Sequence, residues 1–218
     1  MLPVLSLLES RVLGVLLEKE RTVPDTYPLT LNTLIAGSNQ KTSRDPILAA
    51  TEVEVQAAID SLKRMNLVIE SSGGRVPRYT HNFERVLQVP RQSSAILAVL
   101  MLRGPLTAGE LRINCERLHS FADISSVEGF LNELAARPAG ALVAELPRQA
   151  GSRENRWAHL LSGPPAVAEA PRSAPAPDAG GLAISELAAV KANVARLESE
   201  VAELKALVGR MAAELGIR

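Results

Sequence analysis

A single cysteine, Cys115, in 218 residues excludes a disulfide framework and fits a reducing compartment. Aromatic residues are equally scarce at 3%, so any core has to be built from Leu, Val, Ile and Ala, material that suits short helices and small sheets. Net charge is missing as well. Lys plus Arg and Asp plus Glu both number 24, so the chain-wide basic footprint of a nucleic-acid binder is absent and any basic surface must be local. No run is long and apolar enough to span a bilayer. Glu9 and Arg11 interrupt MLPVLSLLESRVLGVLL, no basic leader precedes it, and the uncharged run Gln92 to Leu102 is too short. These absences predict a cytoplasmic protein with no membrane partner.

Catalytic signatures are also lacking. His81, His119, His159 and Cys115 are the soft metal ligands, and their spacing matches no zinc or nucleophile pattern. Gly73-Gly74 lies in a hairpin turn, without the Gly-Lys-Ser/Thr and following helix of a phosphate-binding loop. The carboxylates scatter as caps and solvated faces. The expectation is a non-enzymatic chain without cofactor or metal.

What is present is an apolar fraction of 46%, ample for packed cores, and an internal repeat. Leu29, Thr30 and Leu34 recur as Leu106, Thr107 and Leu111. RVPRYTH recurs as RENRWAH, aligning Arg75, Arg78, Tyr79 and His81 with Arg153, Arg156, Trp157 and His159. Val55, Ile59 and Leu62 match Val127, Leu131 and Leu134 at a smaller offset, which places extra loop residues before that helix in the first copy.

Each copy reads helix, helix, helix, hairpin. Ser6 with Glu9 forms a capping box opening a helix whose apolar residues Leu8, Val12, Val15 and Leu16 keep a helical period. A second helix runs from about Thr30 to Ala36 and stops at Gly37. Thr51 with Glu54 caps a third, with Val55, Ala58, Ile59, Leu62 and Met65 as its buried stripe. LVIES, a Gly-Gly turn and RVPRYTH then read as a hairpin. The second copy repeats this order, with Thr107 and Glu110 as a capping box and a third helix opening near Asp123 to Ser125. Three short helices and a hairpin are the winged-helix plan, so the fold expected is mainly α with small β-hairpins. Winged-helix domains occupy residues 1–90 and 91–162.

After Leu161 the composition shifts. SGPPAVAEAPRSAPAPDAGG holds five prolines and nothing large enough to pack, a linker over 163–181 that could span on the order of 60 Å as polyproline II. A terminal helix follows over 182–216. Leu187, Val194, Val201, Val208 and Leu215 fall at position a, and Val190, Leu197, Leu204 and Met211 at d, through four heptads. Val at a with Leu at d favours a parallel two-stranded coiled coil, and Glu186 to Lys191 and Glu200 to Lys205 are matched g–e pairs. A homodimer is expected.

LESRVLGVLLEKERTVPDTYPLTLNTLIAGSNQKTSRDP, EVQAAIDSLKRMNLV, LRGPLTAGELR, FADISSVEGFLNELA and the closing RWAHLLSG together resemble the YceH-like family of uncharacterised bacterial proteins. The resemblance covers about residues 5 to 163 and implies a tandem winged-helix fold. It carries no activity and no site residues with it.

A winged helix that binds DNA sends its third helix into the major groove and its wing to the backbone. Here the third-helix faces carry Glu52, Asp60 and Glu133, unfavourable against phosphate. The hairpins carry Arg75, Arg78, Arg148, Arg153 and Arg156. Lys41 and Arg44, in the polar segment GSNQKTSRDP, sit in the turn before the third helix, where donors would meet phosphates as a positioning loop. Seven such contacts would give a salt slope of up to about −6 at roughly 0.9 each. The expectation is a regulator that binds double-stranded DNA. The alternative is a scaffold whose winged helices bind another protein. A continuous positive stripe through Lys41, Arg44, Arg75 and Arg78 would favour the first, and an exposed apolar patch the second.

Overall fold

Ser6 opens the first helix as expected. Its hydroxyl accepts from Glu9 N while the Glu9 carboxylate accepts from Ser6 N, so two orphan donors of the first turn are satisfied. The same reciprocal box forms at Thr51 with Glu54 and at Thr107 with Glu110. In the computed structural model, residues 4–72, 74–148 and 154–164 are described, and all belong to one compact unit. The elements are α1 (Leu7–Thr22), α2 (Leu31–Ser38), α3 (Glu52–Arg64), β1 (Val68–Ser71), β2 (Arg78–His81), α4 (Phe83–Leu87), α5 (Arg91–Arg103), α6 (Ala108–Cys115), α7 (Ile124–Ala135), β3 (Val143–Glu145) and β4 (Trp157–His159).

The duplication is visible in backbone register. β1 pairs antiparallel with β2, Val68 opposite His81, and β3 with β4, Val143 opposite His159. Each hairpin gains a third partner from the residue before its second helix. Leu29 bridges Tyr79, and Leu106 bridges Trp157. Tyr79 and Trp157 are both buried there, filling the space between hairpin and helices. The chain is therefore mainly helical with two small antiparallel sheets.

The helices α1 and α5 form the shared centre. The sequence predicts an amphipathic stripe on α1, yet every residue from Ser10 to Leu17 is buried, as is every residue from Ser93 to Leu102 on α5. A helix buried all round has neighbours on all sides. α1 packs on α2, α3 and β2 with one flank and on α5 with the other, while α5 packs on α6, α7 and β4. Gly14 sets the closeness of the crossing, since a Cβ there would stand 3.0 Å from Leu102 Cγ and Cδ2.

Two further details differ from expectation. Gly37 does not end α2, which continues to Ser38 with Asn39 as its C-cap. The glycine is instead needed for contact, because an added Cβ would lie 2.6 Å from Val15 Cγ1. The short helix α4, between the two copies, has no strong sequence signal at five residues. The linker and the heptads from Leu187 to Leu215 lie outside the described residues. No helix among the described residues is long and apolar enough to cross a membrane.

Candidate functional site

The polar segment 37–46 is only partly turned outward. Gly37, Ser38 and Arg44 are buried beneath it, while Lys41, Thr42, Asp45 and Pro46 are exposed. Arg44 is the clearest correction to the expected DNA contacts: its side chain is 0% exposed. Its Nε donates to Gly37 O at 3.1 Å, Nη1 to Ser43 O at 2.9 Å, and Nη2 to Glu18 Oε2 at 2.6 Å. Arg11, on the buried face of α1, donates to Ser38 O and Pro46 O at 3.1 and 2.7 Å. Burial, and then the nearby Arg44 cation, hold its pKa below the ordinary guanidinium value. Asn39 closes the far end by exchanging two 2.8 Å hydrogen bonds with the Ala50 backbone.

The same segment reaches the second copy. Asp45 N donates to Leu102 O at 2.8 Å, and Arg103 Nη2 donates to Ser43 Oγ at 2.7 Å. The polar turn is thus a clasp between the two copies. Sequence reasoning did not find Arg11 or Arg103 as its partners. The available signal was a charge at position 11 inside an otherwise apolar helical run.

The remaining predicted cations are dispersed. Lys41 is exposed on the outer edge of the clasp and makes no hydrogen bond or ion pair among the described residues. Arg75 is exposed at the turn of the first hairpin and is likewise unpaired among them. Arg78 is exposed but occupied, with Nη1 donating to Pro28 O at 2.7 Å and to Thr26 O at 3.4 Å. Arg156 is exposed and unpaired among the described residues, Arg148 borders a groove with Glu128, Glu145 and Glu154, and Arg153 lies outside them. A stripe joining Lys41, Arg44, Arg75 and Arg78 does not form, because Arg44 is buried and Arg78 is spent on carbonyls.

The acids of the first copy do not neutralise Arg75 on its hairpin. Glu70 pairs with Lys63 across from α3, and Glu84 lies 3.5 Å from Arg21. On α3 the exposed positions are Glu52, Val53, Glu54, Ala57 and Arg64, of which Glu54 is tied to its capping box. Hydrogen bonds from Thr51 hold that carboxylate's pKa below the ordinary value.

In front of α3 lies an apolar cleft of about 260 Å³, lined by Leu7, Leu8, Leu48, Ala49, Ala50 and Glu54. Leu7, on its lining, is 47% exposed, and Ile47 and Val53, the sequence neighbours of lining residues Leu48 and Glu54, are 63% and 78% exposed. The sequence reading did not single out this patch. Its residues belong to three separate segments, none of them conspicuously hydrophobic alone.

The histidines are structural in geometry. His81 Nε2 lies 3.2 Å from Glu20 Oε2, and its backbone N donates to Tyr27 Oη at 2.9 Å. That contact with His81 keeps the Glu20 pKa below the ordinary carboxylate value. The matching His159 has no partner for Nδ1, and burial pushes its pKa down to about 4. His119 packs edge-on against Phe121, with centroids 4.7 Å apart. Burial raises the Cys115 thiol to about 12. Among the described residues, no group of three or more His, Cys, Asp and Glu is placed to hold a metal.

A twice-repeated arrangement of three helices and a hairpin describes this chain structurally. Residues 5–152 match the family described as "Protein of unknown function, DUF480". The chain belongs to that family. It is 63% identical over 206 residues to a UPF0502 protein of Dechloromonas aromatica, covering 94% of this chain and 95% of the relative. A UPF0502 protein of Burkholderia ambifaria is 59% identical, covering 96% and 89%. One from Methylibium petroleiphilum is 60% identical, covering 99% and 92%.

Proposed function

We propose that the chain is a tandem winged-helix scaffold that docks another protein, self-associating through the heptads Leu187 to Leu215. The observation that carries this reading is the apolar cleft before α3, flanked by exposed Leu7, Ile47 and Val53. At the place where a groove-reading winged helix presents donors, this one presents aliphatic carbon bounded by Glu52 and Glu54. Aliphatic surface with an acidic rim fits an apolar partner segment flanked by Lys or Arg. The helix-in-groove mode, with anchors every three or four residues, matches that chemistry.

Fluorescence anisotropy with amphipathic helical peptides of either rim charge tests it on the full chain. Peptides with basic rims should bind, and Val53→Asp with Ile47→Asp should remove binding without lowering the melting temperature, since both side chains are exposed. Equal binding of both peptide charges, or binding indifferent to these substitutions, would overturn the reading.

Duplex DNA remains a second reading because Arg75 and Arg156 stand exposed and unpaired among the described residues. With Lys41 they could neutralise three phosphates, a salt slope of about −3 in place of −6. Binding that weakens with that slope, and is lost in Arg75→Ala/Arg156→Ala, would favour DNA over the scaffold.

A further inference from the structure

Beside the clasp, a cleft of about 180 Å³ opens between the two copies. Lys19 comes from the last turn of α1, Arg44 from the clasp, Arg103 from the end of α5, and Arg117 from just after α6. One carboxylate, Glu18, faces these four cations. Gln40 and Asn114 add uncharged amides, and Val99 and Leu102 line the remaining wall.

The charges do not balance. Glu18 already receives Arg44 through both oxygens, at 2.6 and 3.4 Å, and stands 3.6 Å from Lys19. Arg103 spends Nη2 on the Ser43 hydroxyl, a neutral acceptor. Arg117 makes no hydrogen bond or ion pair among the described residues. Like charges converging on a partly enclosed space repel more strongly than on an open surface, because less water screens them. A folded chain tolerates such a cluster at a cost that an anion between the cations would remove.

We propose that this cleft is a binding site for a phosphate group, as inorganic phosphate, pyrophosphate or a small phosphomonoester. The Arg103 and Arg117 guanidinium groups and the Lys19 ammonium match tetrahedral oxyanions in geometry and charge. Arg44, its donors spent on Gly37, Gln40, Ser43 and Glu18, adds only its charge. The volume sets the size, since sites for drug-sized ligands usually run from about 300 to 1,000 Å³. A volume of about 180 Å³ suits a phosphate or pyrophosphate group, and the rest of a larger ligand would lie outside it. Lys19 belongs to the first copy, Arg103 and Arg117 to the second, so the bound anion ties the two copies together as the clasp does. This site is independent of the docking cleft before α3.

Thermal unfolding of the full chain in inorganic phosphate, pyrophosphate and malonate, each against sodium chloride at equal ionic strength, tests the site. The melting temperature should rise saturably with phosphate and pyrophosphate beyond the chloride control, as ligand linkage requires. Arg117→Ala and Lys19→Ala should each weaken the apparent affinity at least tenfold. Without ligand Arg117→Ala should melt at or above the parent temperature, since it removes an unpaired cation, whereas Lys19→Ala also loses its 3.6 Å contact with Glu18. A purely structural role for Arg117 would instead lower the unliganded melting temperature. A rise no larger than in chloride, an unchanged affinity in the double variant, or malonate binding as tightly as phosphate would each overturn the proposal.

Discussion

Arg44 Nη2 rests 2.6 Å from Glu18 Oε2, with no part of the arginine side chain open to solvent. A cation placed so deeply depends on its partner, because removing either group strands the other in a medium that solvates it poorly. Arg44→Ala also leaves the carbonyls of Gly37 and Ser43 without their donor. Urea titration should show a loss of about 3 kcal/mol, within the range for breaking buried pairs. Arg75→Ala, on the exposed hairpin turn, should change stability by less than ~0.5 kcal/mol.

Gly37→Ala sets two effects against each other. Alanine in a helix is favoured over glycine by up to about 1 kcal/mol, but the new methyl would meet Val15 Cγ1 at 2.6 Å. Overpacking of this kind costs ~1–3 kcal/mol, so the net change should be destabilising. Combining it with Val15→Ala should give less loss than the two single effects summed, which a double-mutant cycle reads directly.

Clear sequence signals and hidden ones divide here by distance along the chain. The three capping boxes, the stripe on α3 and both hairpins rest on neighbours a few residues apart, and each formed where its residues predicted. The exception is Met65, which falls at the C-cap of α3 and is only partly buried. The role of segment 37–46 rests on Leu102 and Arg103, some sixty positions away, and nothing in GSNQKTSRDP marks that contact. A polar composition suits solvent and a hydrogen-bonded clasp equally well. Arg44 was therefore placed on the outside by its type and found on the inside by its partners. The cleft before α3 escaped for a related reason, as residues 7–8, 48–50 and 54 meet only after folding.

Burial of His159 gives the stability a pH dependence. His159 titrates near 4 in the folded chain against an ordinary 6.5, so protonation is easier in the unfolded state. Its contribution is complete above pH 6.5 and is lost as pH falls towards 4, approaching ~1.4 kcal/mol per unit between those limits. His159→Phe should flatten the stability profile across that window. Glu20, lowered by its contact with His81, acts at more acidic pH, where stability falls as that carboxylate takes up a proton.

Cys115 offers a probe of opening. Its side chain is buried and its thiol is raised to about 12, leaving almost no thiolate at neutral pH. Thiol reagents should label the folded chain only as fast as it unfolds around α6. In Gly37→Ala, labelling should accelerate about tenfold for each ~1.4 kcal/mol of stability lost. Rapid stoichiometric labelling of the native chain would contradict the burial of this residue.

The mutual enclosure of α1 and α5 makes each half of the unit depend on the other. Each half now keeps its oiliest flank dry only because the other half covers it. Severed near Pro90, both fragments would present a bare aliphatic wall and clump. A bulkier side chain on one central helix would meet the other at once, as a Cβ on Gly14 would meet Leu102.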